Sequence, residues 1–198
     1  MKRFTFILTA LLSALLLVIG CSKDNDGLDL NGKTEYYFKY RVDGTEVNYY
    51  LDLEIQINLT GGYSFDEDNQ LYVIQLTGSK NIHDINKDQM VIYVNSTSEF
   101  MTDTTYSNTE SADTVSPFYL IMGYFDENGE NFVAGLNTPL TPLWEKVYLQ
   151  FDEITDKGIK GTFSGKLLQY DSSAGQNVLV GEVEITSGEF YVPRNNEP

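Results

Sequence analysis

The side chains that most often do chemistry in proteins are scarce in this sequence. Among its 198 residues there is one cysteine, Cys21, and one histidine, His83. An imidazole that acts as a general base needs an orienting acid and a nucleophile, and His83 has only Asp84 as a neighbour in the sequence. We therefore expect His83 to be an exposed loop residue. Sites that need several imidazoles or an internal disulfide are excluded for this sequence.

Carboxylates are the abundant reactive groups. The sequence contains 29 Asp and Glu against 13 Lys and Arg, a formal net charge of −16. Two carboxyl groups with different pKa values suffice to hydrolyse a glycosidic bond. Most of the acids, however, alternate with apolar residues, as Asp52 and Glu54 do, which is typical of the solvated face of a strand. We predict a protein without enzymatic activity, with a glycoside hydrolase as the alternative. The negative charge also argues against nucleic acid as a partner.

One segment has oxygen ligands at a spacing that could hold calcium. Residues 126–131 read Asp-Glu-Asn-Gly-Glu-Asn, but they lack the full calcium-loop pattern with its bidentate Glu at the twelfth position. The pair Asn128-Gly129 is typical of a tight turn between strands. We therefore predict a hairpin turn here, and neither a metal site nor a cofactor in the chain.

The N-terminal residues have the pattern of an exported lipoprotein. Lys2 and Arg3 precede an apolar run over residues 4–19, which is shorter than the roughly 20 residues of a membrane span. The following Gly20-Cys21 completes a segment that resembles a bacterial lipobox. The resemblance implies cleavage after residues 1–20 and acylation of Cys21, which anchors the chain in outer-membrane lipid. An ordinary signal peptide with a chance cysteine is the alternative. Loss of Lys2 and Arg3 changes the net charge to −18.

A polar stretch follows the cysteine. Residues 21–34 are dominated by Gly, Asn, Asp and Lys, which predicts a flexible tether rather than part of a core. Its opening residues 22–26, Ser-Lys-Asp-Asn-Asp, resemble the acidic export signal that follows the cysteine in surface lipoproteins of Bacteroidota. We expect display on the outer face of the outer membrane, with the periplasmic face as the alternative.

Two tyrosines stand on the polar side of the predicted strands. Tyr37 and Tyr50 alternate with the residues expected in the core. An exposed tyrosine can stack on the apolar face of a sugar ring while its hydroxyl forms hydrogen bonds. The pair therefore predicts a platform for glycan. The alternative is that Tyr simply suits strands, or that a second sheet covers this face.

Two threonines lie in short motifs that resemble sites of covalent modification. Asp103-Thr104-Thr105 and Asp113-Thr114-Val115 resemble the acceptor motif for O-glycosylation in Bacteroidota. Both fall within residues 96–116, which are rich in Ser and Thr and predict an exposed loop interrupted by a short strand near Tyr106. We expect Thr104 and Thr114 to be candidate acceptors.

A hydrophobic period of two runs through residues 35–198 and predicts a single β domain. Asp43-Gly44 indicates a tight hairpin turn. Residues 47–59 alternate so strictly that they predict one long half-buried strand, which Gly61-Gly62 is expected to end. Residues 118–125 are apolar on both faces, which predicts a central strand. We expect an all-β fold of about nine or ten strands, either a single antiparallel β-sandwich or a lipocalin-like barrel.

The last third of the chain resembles a known family. Residues 161–165 (GTFSG) and 183–190 (VEITSGEF) are similar to the closing strands of small Bacteroidota outer-membrane lipoproteins of a domain-of-unknown-function family. The resemblance implies that Phe163 and Phe190 lie in the core and that Ser187-Gly188 forms a kink or bulge. It supplies no catalytic residue.

These patterns lead to one functional hypothesis. We predict a lipid-anchored, non-enzymatic cell-surface protein with a role in binding or assembly, and with a glycan or an outer-membrane protein as its partner. A lipocalin-like carrier of a small ligand and a purely structural lipoprotein are the alternatives.

Overall fold

The computed structural model describes residues 35–52, 54, 57–84, 86–108, 118–135, 144–171, 173, 175 and 177–194. The expected signal peptide over residues 1–20 and the tether over 21–34, including Cys21, lie outside this part of the chain. The described residues form eleven β-strands and no helix. The strands are β1 (Tyr37–Val42), β2 (Thr45–Tyr50), β3 (Leu59–Asp66), β4 (Leu71–Ser79), β5 (Gln89–Ser96), β6 (Thr105–Ser107), β7 (Tyr119–Phe125), β8 (Asn131–Ala134), β9 (Val147–Ile154), β10 (Gly158–Asp171) and β11 (Val178–Pro193).

All eleven strands belong to one sheet that is nearly closed into a barrel. The strand order is β2-β1-β11-β10-β8-β7-β5-β4-β3, with β9 paired to β10 and β6 paired to β9. Every strand pair is antiparallel. Two isolated parallel bridges join Gly61 of β3 to Arg194 beyond the end of β11, and Thr102 to Phe151 of β9. The all-β prediction is confirmed, and the barrel is the correct one of its two architectures.

Gly61 allows the terminal strand β3 to approach β11 and so nearly close the barrel. A Cβ at this position would lie 2.9 Å from Val192 Cγ2 and 3.2 Å from the carbonyl oxygen of Pro193. Only a residue without a side chain lets β3 come so close to β11. The expectation that Gly61-Gly62 ends a strand was wrong, because both glycines lie inside β3.

The predicted long strand over residues 47–59 is interrupted, and Asn58 explains the break. Its side chain donates to the carbonyl of Tyr50 (2.8 Å) and accepts from the amide of Asp52 (2.8 Å). It also donates to the carbonyl of Ser79 (3.3 Å). The backbone groups that would extend β2 are thus satisfied by a buried amide. Ile57, expected on the core face, is 55% exposed.

Aromatic side chains fill the middle of the barrel. The ring of Phe38 lies 5.2 Å from that of Phe163 and 5.9 Å from that of Phe190, measured between centroids. Phe151 lies 6.4 Å from Phe190 on the other side. All four are buried, which confirms the expectation for Phe163 and Phe190. The interior is therefore a packed core at this level, and space for a ligand lies at the barrel ends and on the outer surface.

The bulge expected at Ser187-Gly188 is present. On β10, Phe163 pairs with Gly188 but Gly165 pairs with Ile185, so β11 carries an extra residue. The register against β1 shifts at the same place. Ser187 has a φ of 51°, a left-handed conformation that is costly for most residues and typical of such an irregularity.

Gly188→Ala is expected to lower the free energy of unfolding by about 1–3 kcal/mol, the usual cost of overpacking. The new Cβ would lie 2.4 Å from the carbonyl oxygen of Phe163 and 2.8 Å from its ring, so the backbone would have to shift. Urea denaturation measures the change. Gly123→Ala in β7 is the control, since nothing lies within 4 Å of its Cβ position. Equal stability of the two variants would contradict the packing described at the bulge.

Candidate binding face on the outer surface of the sheet

Tyr37 and Tyr50 lie directly opposite each other on β1 and β2. Because Phe38 and Tyr40 point into the core, Tyr37 points outward, and its cross-strand partner shares that face. Tyr50 is 56% exposed, and Tyr37 is half-buried. Directly opposite residues have Cβ atoms about 5 Å apart, so the two side chains are neighbours on one outer face.

Lys39 brings a positive charge to both rings. Its Nζ lies 4.4 Å from the ring centroid of Tyr37 and 5.6 Å from that of Tyr50. An ammonium group at these distances is attracted to the electron-rich ring faces. Lys39 pairs in register with Asn48 on one side and Glu189 on the other. Two aromatic rings and an amine donor are thus grouped on neighbouring strands.

The hydroxyl of Tyr37 is held in its neutral form. Partial burial raises the pKa of Tyr37, and the negative charges of Glu189 and Asp152 raise it further. A neutral phenol can both donate and accept a hydrogen bond. The ring can therefore stack on a ligand while its hydroxyl bonds to a polar group.

Two other tyrosines that could have joined this surface do not. Tyr72 packs against the core, with its ring 6.3 Å from that of Tyr63 and 4.7 Å from that of Phe65. Tyr93 points outward, but it lies on β5, which β11, β10, β8 and β7 separate from β1 along the sheet. Tyr93 is therefore a natural control for the pair.

One barrel end opens into a cavity that sequence patterns did not indicate. Its volume is about 560 Å³, and its wall combines acidic loop residues with the tyrosines beneath them. The acidic residues are Asp43, Glu46, Asp88, Asp126 and Glu127, and Lys80 forms an ion pair with Asp88 at 3.5 Å. These groups come from the β1–β2 hairpin and from the β4–β5 and β7–β8 connections, which are distant in sequence, so no local motif could have revealed them.

The segment considered for calcium forms the predicted hairpin turn. Asp126 Oδ1 accepts hydrogen bonds from the amides of Asn128 and Glu130, both at 2.8 Å, and Gly129 has a φ of 88°. Burial opposes ionisation of Asp126, but the hydrogen bonds outweigh it and lower its pKa. Within the described ranges, no group of three or more His, Cys, Asp or Glu is arranged to hold a metal ion.

The remaining candidate residues are scattered. His83 lies exposed in the β4–β5 loop, as expected, and its amide donates to Asn81 Oδ1 at 2.9 Å. Thr104 is half-buried just before β6, and its hydroxyl lies 3.5 Å from the carbonyl of Thr102. Thr114 and Cys21 lie outside the described residues.

Comparison of the chain with known proteins identifies no relative. In the part of the chain that the structure covers, no helix is long and apolar enough to cross a membrane. No family model matches the sequence, and neither a curated protein nor a solved structure matches it.

Proposed function

We propose that this protein is a lipid-anchored, non-enzymatic binding protein of the cell surface that captures glycan on Tyr37 and Tyr50. The observation that supports this most is the direct pairing of the two outward tyrosines, with the amine of Lys39 4.4 Å and 5.6 Å from their ring centroids. Sugars present apolar C–H faces and polar edges, which match ring faces and a nearby donor. Because directly paired residues have Cβ atoms about 5 Å apart, one sugar unit can reach both side chains.

A second candidate rests on the cavity at the barrel end. A lipocalin-like carrier binds its ligand in the barrel mouth, and this mouth has an apolar wall formed in part by Val47, Phe132 and Val183. The same cavity contains the carboxylates that a glycoside hydrolase would need. We place it second because the aromatic core fills the barrel below it.

Electrophoresis in gels that contain dissolved polysaccharide tests the first candidate. The panel is mannan, xylan, mixed-linkage β-glucan and acidic pectin, and the protein is the full chain in detergent. We expect at least one polysaccharide to retard the wild-type protein. Tyr37→Ala combined with Tyr50→Ala should weaken binding by roughly 5- to 140-fold, since each of the two lost stacking contacts contributes about 0.5–1.5 kcal/mol.

The control for that experiment is Tyr93→Ala, which removes an outward tyrosine from another part of the sheet. It should leave retardation unchanged, and circular dichroism should show that all variants are folded. Undiminished binding by the double variant would overturn the proposal. Unfolding of the double variant would also do so, because the rings would then be structural.

The anchor has its own test. Cys21→Ala should move the protein from the membrane fraction to the soluble fraction, because the only thiol that could carry acyl chains is lost. Fractionation and immunoblotting measure this, and retention in membranes after a high-salt wash would contradict the lipobox. Digestion of the wild-type protein by protease added to intact cells distinguishes the outer surface from the periplasmic face.

A further inference from the structure

A second feature of the same outer surface lies beyond the tyrosine pair. A groove of about 390 Å³ runs beside the Ser187–Gly188 bulge, across β11, β10 and β9. We propose that this groove is a second subsite, and that the protein binds an extended, uncharged polysaccharide laid across the strands from the Tyr50 edge to Tyr148. The inference rests on the proposed function and names the ligand class of that face.

Strand register connects the two places. The groove shares Glu189 with the tyrosine face, because Glu189 pairs with Lys39 on β1 and with Thr162 on β10. One continuous row of paired outward residues therefore crosses six strands. In order, the row is Asn48, Lys39, Glu189, Thr162, Gln150 and Thr105. With strands about 4.8 Å apart, the row is roughly 24 Å long, which suits a chain of several sugars rather than a single one.

The far side of the groove repeats the arrangement found at the tyrosine pair. Tyr148 points outward from β9 and is 38% exposed, and Lys146 Nζ lies 5.3 Å from its ring centroid. An aromatic ring with a lysine amine near it thus lies beside the row on β1 and again on β9. Two such rings give an elongated ligand two stacking positions with polar groups between them.

The lining of the groove indicates an uncharged ligand. Apart from Tyr148 and Glu189, the polar side chains that reach the groove are hydroxyls and one amide, from Thr105, Gln150, Thr162, Ser164 and Ser187. Hydroxyl and amide groups both donate and accept hydrogen bonds, as sugar hydroxyls do. The one charged side chain of the lining is a carboxylate, and the whole chain has a net charge of −16, so an anionic polysaccharide would be repelled.

Length dependence of affinity tests the second subsite. The full chain in detergent is titrated with oligosaccharides of two, four, six and eight units from β-glucan, xylan and mannan. We expect affinity to rise up to about five or six units, as the row becomes occupied. Tyr148→Ala should weaken binding of the longer oligosaccharides by about two- to tenfold and leave binding of the shortest unchanged. Gln150→Ala should act in the same direction.

Each outcome is decisive. Affinity that does not increase beyond two units, or a length dependence that Tyr148→Ala leaves intact, would overturn the second subsite while the tyrosine pair stands. Two results together support the inference. The Tyr37→Ala, Tyr50→Ala double variant weakens binding of oligosaccharides of every length, and Tyr148→Ala removes only the gain in affinity with length. If no wild-type binding to any series is detected, the proposed function fails and the second subsite fails with it. Tighter binding of acidic pectin fragments would overturn the uncharged ligand class.

Discussion

Raising the pH above 10 is expected to destabilise this protein steeply, because it buries two tyrosine hydroxyls together. Tyr40 and Tyr49 are both buried, and their hydroxyl oxygens are 3.1 Å apart. Burial raises the pKa of Tyr40 well above its usual value of 10. Burial also raises the pKa of Tyr49, although its hydrogen bond with Tyr40 acts in the opposite direction. In the folded state both groups therefore keep their protons at a pH where the unfolded chain releases them.

The sign and size of this effect follow from proton linkage. Above pH 10 the unfolded chain binds fewer protons than the folded one, so the free energy of unfolding falls as pH rises. The stabilisation is complete below pH 10 and is lost through the range between the unfolded and folded pKa values. Tyr40 and Tyr49 contribute a slope of about 2.7 kcal/mol per pH unit once the unfolded tyrosines are ionised. Tyr124 and Tyr191, whose pKa values burial raises to about 12, add to this slope.

Urea denaturation at pH 9, 10 and 11 measures that slope. Tyr40→Phe should reduce it by about 1.4 kcal/mol per pH unit, because one of the two buried protons is gone. Tyr50→Phe is the matched control, since this tyrosine is exposed on the neighbouring strand and should leave the slope as it is. Equal slopes for the wild-type protein and Tyr40→Phe would contradict the buried pair.

Phe38→Ala is expected to lower the free energy of unfolding by about 3–5 kcal/mol, a large part of the 5–15 kcal/mol of a typical domain. Phe38 is fully buried and packs against the rings of both Phe163 and Phe190. The backbone of β4 also packs against it, since a Cβ on Gly78 would lie 2.6 Å from Phe38 Cγ. Because the surrounding residues enclose this site tightly, they cannot move in to fill it in Phe38→Ala. A cavity therefore remains where the ring was.

The melting temperature should fall by about 6–20 °C in that variant. Phe65→Ala is the control, because Phe65 has the same side chain in an exposed position at the end of β3. Phe65→Ala should lower the free energy of unfolding far less than Phe38→Ala does. A loss of under 1 kcal/mol for Phe38→Ala would show that the ring does not hold the two sides of the barrel together.

Local patterns predicted those features that depend on neighbours in the sequence. The alternation at Phe38 and Tyr40 gave the correct inward face, and the turn at Asp43-Gly44 has the positive φ angles, 49° and 84°, that the pair favours. The short strand near Tyr106 and the bulge before Glu189 are also present. Each of these follows from side-chain periodicity or from one backbone conformation.

Features that depend on distant contacts could not be predicted in this way. Asn58 alternates correctly with its neighbours, yet its buried amide ends β2 by bonding to Tyr50 and to β4. In the sequence, Gly61 indicates the end of a strand. In the structure it lies inside β3, because β11 packs too closely against it for a side chain. The pairing of Tyr37 with Tyr50 was within reach, because a two-residue turn fixes the register of the hairpin. The groove at Tyr148 depends on the register of three strands, which the sequence alone does not give, so it could not be predicted.

A titration followed by nuclear magnetic resonance tests the central claim most directly. The protein is the ¹⁵N-labelled Cys21→Ala variant, and the ligand is the neutral polysaccharide or oligosaccharide that the wild-type protein binds. The account predicts that amide signals of Tyr37, Lys39 and Tyr50 shift together as ligand is added. Shifts confined to the barrel mouth, at Lys80 and Tyr124, would contradict the outer face as the binding site and favour a carrier.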